Sequence, residues 1–238
     1  MYFNPWMFRG MDPRLMVFFM IAILIMIIVQ GHLMSTFSRY KKERASSGLT
    51  GHEVARRMLD RNGLYDVQIQ QAKGKLSDHY DPKSRTVRLS HDIHNGTSVA
   101  AAAVAAHEVG HAIQHAEHYA PLKLRSAFVP VVNVANHLGF LAIIIGLFAE
   151  MFLVAQIGVV LVSFLFLFQL ITLPVEFNAS TRAMSGLSDM NILYDHNEKR
   201  GARKVLTAAA LTYVAALIIA LVQLLRWVMI VNNSRGRR

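Results

Sequence analysis

The chain contains no cysteine. That excludes a disulfide framework and every thiolate metal site, and it fits the reducing cytoplasmic side of a membrane. Charge is also scarce. Asp, Glu, Lys and Arg make up 17% of the 238 residues, where a soluble domain carries about a quarter. Acids are scarcer than bases, 15 against 25, giving a net charge of +10 and a pI near 10.1. No nucleic-acid-binding module accompanies this excess, so nucleic acid is not an expected partner. The excess reads instead as loop charge that orients a membrane protein and meets anionic headgroups. Internal repeats and low-complexity linkers are absent too.

What the chain has is apolar length. Hydrophobic residues make up 53% of it and the mean hydropathy is +0.33. A membrane span needs about 20 mostly apolar residues, and four stretches qualify: 15–34, 128–149, 152–173 and 205–225, with Arg226 close to the end of the last. The first is too long for a signal-peptide core and no small-x-small cleavage site follows it, so it reads as an uncleaved anchor. Only Glu150 and Met151 part the second and third, which predicts a tight helical hairpin. Four spans leave two polar segments, 35–127 and 174–204, on one side. They hold 14 and 5 of the 25 Lys/Arg; Arg9, Arg14, Arg226, Arg235, Arg237 and Arg238 lie elsewhere. The positive-inside bias assigns both segments to the cytoplasm, and the basic tail "SRGRR" is too short to outweigh it.

The segment 35–127 is long enough to fold. "LTGHEVARRMLDRNG" reads as a helix that starts at a capping box, Thr50 and Glu53, and stops at Asn62-Gly63. "DVQIQQA" alternates as a strand. A turn at Asp81-Pro82-Lys83-Ser84 leads into a second strand from Thr86, which can offer an edge to an extended peptide. Asn95-Gly96 then breaks the chain, Thr97 or Ser98 can cap, and an alanine-rich helix follows over about 98–118.

That helix carries "AHEVGH". His107 and His111 are four residues apart, so both imidazoles point to one face, the arrangement that lets two neutral imidazoles hold one Zn²⁺. Glu108 is rotated off that face. In this motif the glutamate takes a proton from the metal's water and passes it to the leaving amine. A similar start, "GHEVAR" at 51–56, puts Arg56 where the second histidine would stand, and the capping box gives its glutamate a local role. A catalytic zinc takes three protein ligands and keeps one position open. A metzincin would place glycine at 114 and histidine at 117; Gln114 and Glu117 exclude that class. His115 lies about 80° round a 3.6-residue helix from His107. Glu176 follows the third span on the inferred side of the His pair. Pro174 suits the start of a helix at the membrane surface. On position alone Glu176 reads equally as the third ligand and as a solvated acid in a first turn.

Taken together, "AAHEVGHAIQHA", the preceding "RLSHDIHNGTSVAAAAVAAHE" and the later "LPVEFNASTRA" resemble the YugP-type family of bacterial membrane zinc metallopeptidases over nearly the whole chain, and more distantly the HtpX and CAAX prenyl protease group. The resemblance implies His107, His111 and Glu176 as ligands of one zinc per chain and Glu108 as the catalytic base. It implies a peptide or protein substrate and a multi-pass place in a bacterial cell membrane with the site on the cytoplasmic side. In the HtpX-like group an Asp four residues after the ligand Glu steadies a zinc histidine; here Ser180 stands there, and Ser180 or Asn178 is the candidate for that hydrogen bond. His79, His94 and Arg182 are further candidates. His94 precedes the helix and suits oxyanion stabilisation or capping, and Arg182 suits a substrate carboxylate or a pair with Asp189.

The expected fold is a mainly α integral membrane protein, four transmembrane helices plus a cytoplasmic zincin-like helical domain with a small β-sheet. The expected activity is zinc-dependent hydrolysis of peptide bonds in membrane or membrane-proximal proteins. The alternative is a catalytically silent membrane adaptor or regulator that keeps the fold and binds another membrane protein. A small transporter is disfavoured because few charges lie inside the spans.

Overall fold

A computed structural model describes residues 13–74 and 76–235. Lys75, Arg9, Arg237 and Arg238, all part of the charge count above, lie outside the described residues. The elements run α1 (Pro13–Tyr40), α2 (Gly51–Arg61), β1 (Gln68–Ala72), β2 (His79–Asp81), β3 (Thr86–Ser90), α3 (His91–His94), α4 (Val99–Ala116), α5 (Ala120–Phe148), α6 (Phe152–Asp189) and α7 (His196–Arg235). The chain is mostly helical with one small sheet. α1, α5, α6 and α7 are each long and apolar enough to cross a membrane.

α6 and α7 have 38 and 40 residues. At 1.5 Å per residue each is roughly 57–60 Å long, about twice a hydrocarbon core. Their apolar runs therefore end well inside the helices. This corrects the expectation at Pro174, which lies within α6 and starts no helix. A proline frees the carbonyl one turn earlier without forcing a break when the helical pattern continues on both sides.

Two compact units emerge. One comprises the described parts of Met1–Ile28, Leu124–Thr172 and Tyr213–Arg238. Here α5 and α6 form the hairpin, turning through Glu150 at φ 57°. Glycine lets their backbones meet: a Cβ on Gly158 would sit 2.7 Å from the Gly139 carbonyl oxygen, and one on Gly139 would sit 2.9 Å from that of Gly158. Small residues at such crossings are the means by which helices pack in lipid. Large apolar side chains face outward, among them Leu138, Phe140, Phe148, Leu153 and Val160, as a lipid solvent requires. Arg226 is buried, its guanidinium 5.3 Å from the Phe19 ring centre and 4.6 Å from that of Trp227, within cation–π range of both.

The second unit comprises Val29–Lys123 and Leu173–Thr212. Its sheet has the order β1-β3-β2, with β1 parallel and β2 antiparallel to β3. The central strand is thus β3, so it has no open edge; the expectation that Thr86–Ser90 offers one is corrected, the outer strands being β1 and β2. β3 is buried along almost its whole length, at Thr86, Val87, Leu89 and Ser90. α4 begins at Ser98, whose hydroxyl accepts from the Ala101 N–H. It is buried on almost every face, as an alanine-rich helix must be when elements surround it. α2, α3, β2 and β3 pack on it. The core joins Val54, Met58 and Leu59 of α2 to Val87, Leu89 and Ile93, to α4, and to Leu187, Leu193 and Leu206. Buried Glu198, in the first turn of α7, accepts from the Tyr194 and Asp195 N–H groups and from both the N–H and hydroxyl of Ser46. It ties the chain after α1 to the start of α7.

Candidate metal centre

Gly110 sits between the two histidines of α4. A Cβ there would lie 2.6 Å from the Ala179 carbonyl oxygen of α6. Only glycine lets these segments approach so closely. The approach brings Glu176 and Ser180, which flank Ala179 on α6, over the histidine face of α4. Glu176 Oε2 lies 3.2 Å from His107 Nε2 and 3.7 Å from His111 Nε2. The two rings meet edge to face, centres 4.8 Å apart.

The donors fit a zinc ion. Nitrogen and carboxylate ligands about 2.0–2.1 Å from a tetrahedral metal are roughly 3.3–3.4 Å from one another. The ligand atoms of His107, His111 and Glu176 all lie within 4.8 Å of each other, and the two nitrogen–oxygen separations bracket the ideal. Glu176 is 2% exposed, and a carboxylate so buried needs positive or hydrogen-bonding partners.

Each histidine is held through its other nitrogen. His107 Nδ1 lies 3.2 Å from Ser180 Oγ. His111 Nδ1 lies 3.0 Å from Gln114 Oε1, an acceptor, so His111 carries its proton on Nδ1 and turns the Nε2 lone pair to the site. Gln114 is wholly buried and its amide is fully used, donating to the Val175 carbonyl at 2.8 Å and to Asn178 Oδ1 at 2.9 Å. Arg182 Nε donates to the same Asn178 oxygen, and its other arm pairs with Glu117 at 2.6 Å. The expected Asp189 partner is corrected: seven residues along a helix is about 10 Å, whereas Glu117 caps the end of α4.

Glu108 is 7% exposed, and burial pushes its carboxyl up to about 7. His107 opposes that rise, Glu176 and Asp78 add to it, and the Tyr80 backbone N–H of β2 opposes it. The site is thus closed on one side by the sheet. Asp78 accepts from the N–H and hydroxyl of Ser90, fixing the turn before β2. Tyr80 Oη reaches His115 Nδ1 at 2.8 Å, which accounts for His115 without the metal.

The chain matches the family described as "Putative neutral zinc metallopeptidase" over residues 15–232. The chain belongs to this family. It is 50% identical over 201 residues to "Putative membrane protease YugP" of Bacillus subtilis (strain 168), covering 84% of this chain and 89% of that relative. No solved structure matches it.

Within this member of the zinc peptidase family, two of the candidates stand apart from the cluster. His79 bonds the Ser77 carbonyl through Nδ1. His94 meets His52 at 3.1 Å and Asn95 at 2.9 Å, in neither case a residue of the cluster. From the sequence, Gln114 stands out only as a position where a metzincin would have glycine. The signal for more was present: a lone amide three residues after His111, on the same face of a helix that otherwise runs in alanine.

Proposed function

We propose that the chain is a zinc-dependent endopeptidase of the His-Glu-x-x-His plus Glu type, a multi-pass protein of the bacterial cell membrane with its site on the cytoplasmic side. His107, His111 and Glu176 hold one zinc per chain and Glu108 is the catalytic base. The observation that carries the reading is Glu176 Oε2 lying within 3.2 and 3.7 Å of the two Nε2 atoms, beside a buried glutamate. Family membership supports it, and so does the base-rich composition of the segments that supply these residues.

A bound zinc supplies a Lewis acid that polarises a carbonyl and acidifies water. The rest falls to side chains. Glu108, held in a low-dielectric setting, accepts the proton of the attacking water and delivers it to the amine as the peptide bond breaks. A carboxyl poised near neutrality can do both. Ser180 and Gln114 keep the imidazoles aimed. β2, as the outer strand next to Glu108, is the edge along which an extended substrate of membrane or membrane-proximal origin is paired.

The test is Glu108→Gln in detergent-purified protein. Cleavage of an unfolded protein such as casein should fall by about 10²–10⁴, with zinc content unchanged. Cleavage at the wild-type rate in that variant contradicts the mechanism.

A further inference from the structure

A cavity of about 420 Å³ lies in the second unit, away from the metal ligands, lined by Lys41, Lys42, Arg44, His91, Asp92 and Ser98 among others. Its chemistry is cationic. Lys41 is paired with Asp92 at 2.6 Å, so the lining acid is answered. Lys42 and Arg44 are exposed and have no acidic partner among the described residues. The Gln71 and Asn95 amides both lie against His91 Nδ1, at 2.6 and 3.2 Å. These contacts hold the ring through Nδ1 and leave Nε2 as its other polar atom. The lining therefore offers an imidazole and two cations with no acidic partner among the described residues.

The cavity's place in the chain says what it meets. Its first residue, Lys41, follows directly on α1, a helix apolar enough to span. The apolar stretch of α1 ends near Met34, and the six helical residues that follow it rise about 9 Å. That carries Lys41 to the outer edge of the headgroup layer, which is roughly 5–8 Å deep on each side of the hydrocarbon core. Basic residues just beyond a span are attracted to anionic headgroups.

We propose that this cavity binds the phosphate of an anionic phospholipid headgroup, with Lys42, Arg44 and His91 as its donors. The site is separate from peptide hydrolysis and does not rest on that reading.

The test measures thermal unfolding of the detergent-solubilised full chain with dioctanoyl phosphatidylglycerol, dioctanoyl phosphatidylcholine or inorganic phosphate. It compares wild type, Lys42→Gln/Arg44→Gln, and the control Arg57→Gln/Arg61→Gln, which removes the same charge from exposed positions of α2. The phosphatidylglycerol should stabilise wild type and the control saturably, with about tenfold weaker apparent affinity in the Lys42/Arg44 variant. Phosphatidylcholine should do little, and inorganic phosphate should compete with the anionic lipid. An equal loss in both double variants, or equal stabilisation by both lipids, overturns the proposal. Stabilisation by phosphate with none from the anionic lipid assigns the cavity to a soluble phosphate and overturns the lipid. Should the Lys42/Arg44 variant fail to fold, wild type decides alone: failure of phosphate to compete overturns the site.

Discussion

Two helices of this chain carry the same three residues, His-Glu-Val, and put them to opposite uses. In α2, Glu53 turns back to accept from the N–H and hydroxyl of Thr50, while Thr50 accepts from the Glu53 N–H. Its histidine leans on His94, and Arg56 anchors the loop after the helix by donating to the carbonyls of Leu64 and Val67. In α4 the same letters lie mid-helix, where no orphan N–H groups exist for a glutamate to cap. Glu108 is therefore driven into the interior, and His107 gains a partner one turn on. Position in the helix decides between the two uses. An acid in a first turn is stabilised by the helix end, whereas a buried one costs stability.

The sharpest way to break this comparison is to make one change twice. Glu108→Gln should remove peptidase activity, whereas Glu53→Gln should leave the rate within about twofold and cost roughly 1 kcal/mol of stability or less. Equal loss of activity in both variants would erase the distinction.

The cost of burying Glu108 gives a second contrast. Its carboxyl is raised to about 7, above the ordinary 4.5. Below pH 4.5 both folded and unfolded states hold the proton; between 4.5 and 7 the folded state holds more, so stability falls as pH rises. In metal-free protein Glu108→Gln should thus be the more heat-stable form at pH 8, by a few kcal/mol at most, with the gap closing toward pH 4.5. Thermal unfolding at both pH values checks this, and a gap that widens on acidification would contradict it.

Support for the histidines comes next in size. Gln114→Leu keeps the volume but removes the acceptor for His111 Nδ1, and zinc affinity should weaken about 10–100-fold. Competition with a chelating dye measures it. Unchanged affinity would mean that the tautomer of His111 is fixed some other way. Smallest is Thr50→Ala, which should lower stability by about 1 kcal/mol while zinc content stays the same.

Much of this was legible in the sequence because it is local. The capping box, the Asn62-Gly63 stop, strands β1 and β3 and the Ser98 cap follow from spacing and turn chemistry; β2, His79–Asp81, does not. The His pair follows from a four-residue repeat. What failed to show was tertiary. That β3 is central depends on which strand joins its second side. The run of α6 through Pro174 depends on an apolar pattern persisting past a residue that usually ends helices. The Glu117–Arg182 pair and the Gln114 bridge depend on how closely α4 and α6 approach, which Gly110 alone hints at. Glu176 stood even between ligand and surface acid until the family resemblance was added.

The most direct measurement of the central claim is zinc per chain, by atomic spectroscopy, in detergent-purified wild type and Glu176→Ala side by side. About one zinc in wild type and clear loss in the variant is the predicted result. Zinc fully retained by a folded Glu176→Ala protein, or none taken up by wild type supplied with metal, would contradict a site built from His107, His111 and Glu176.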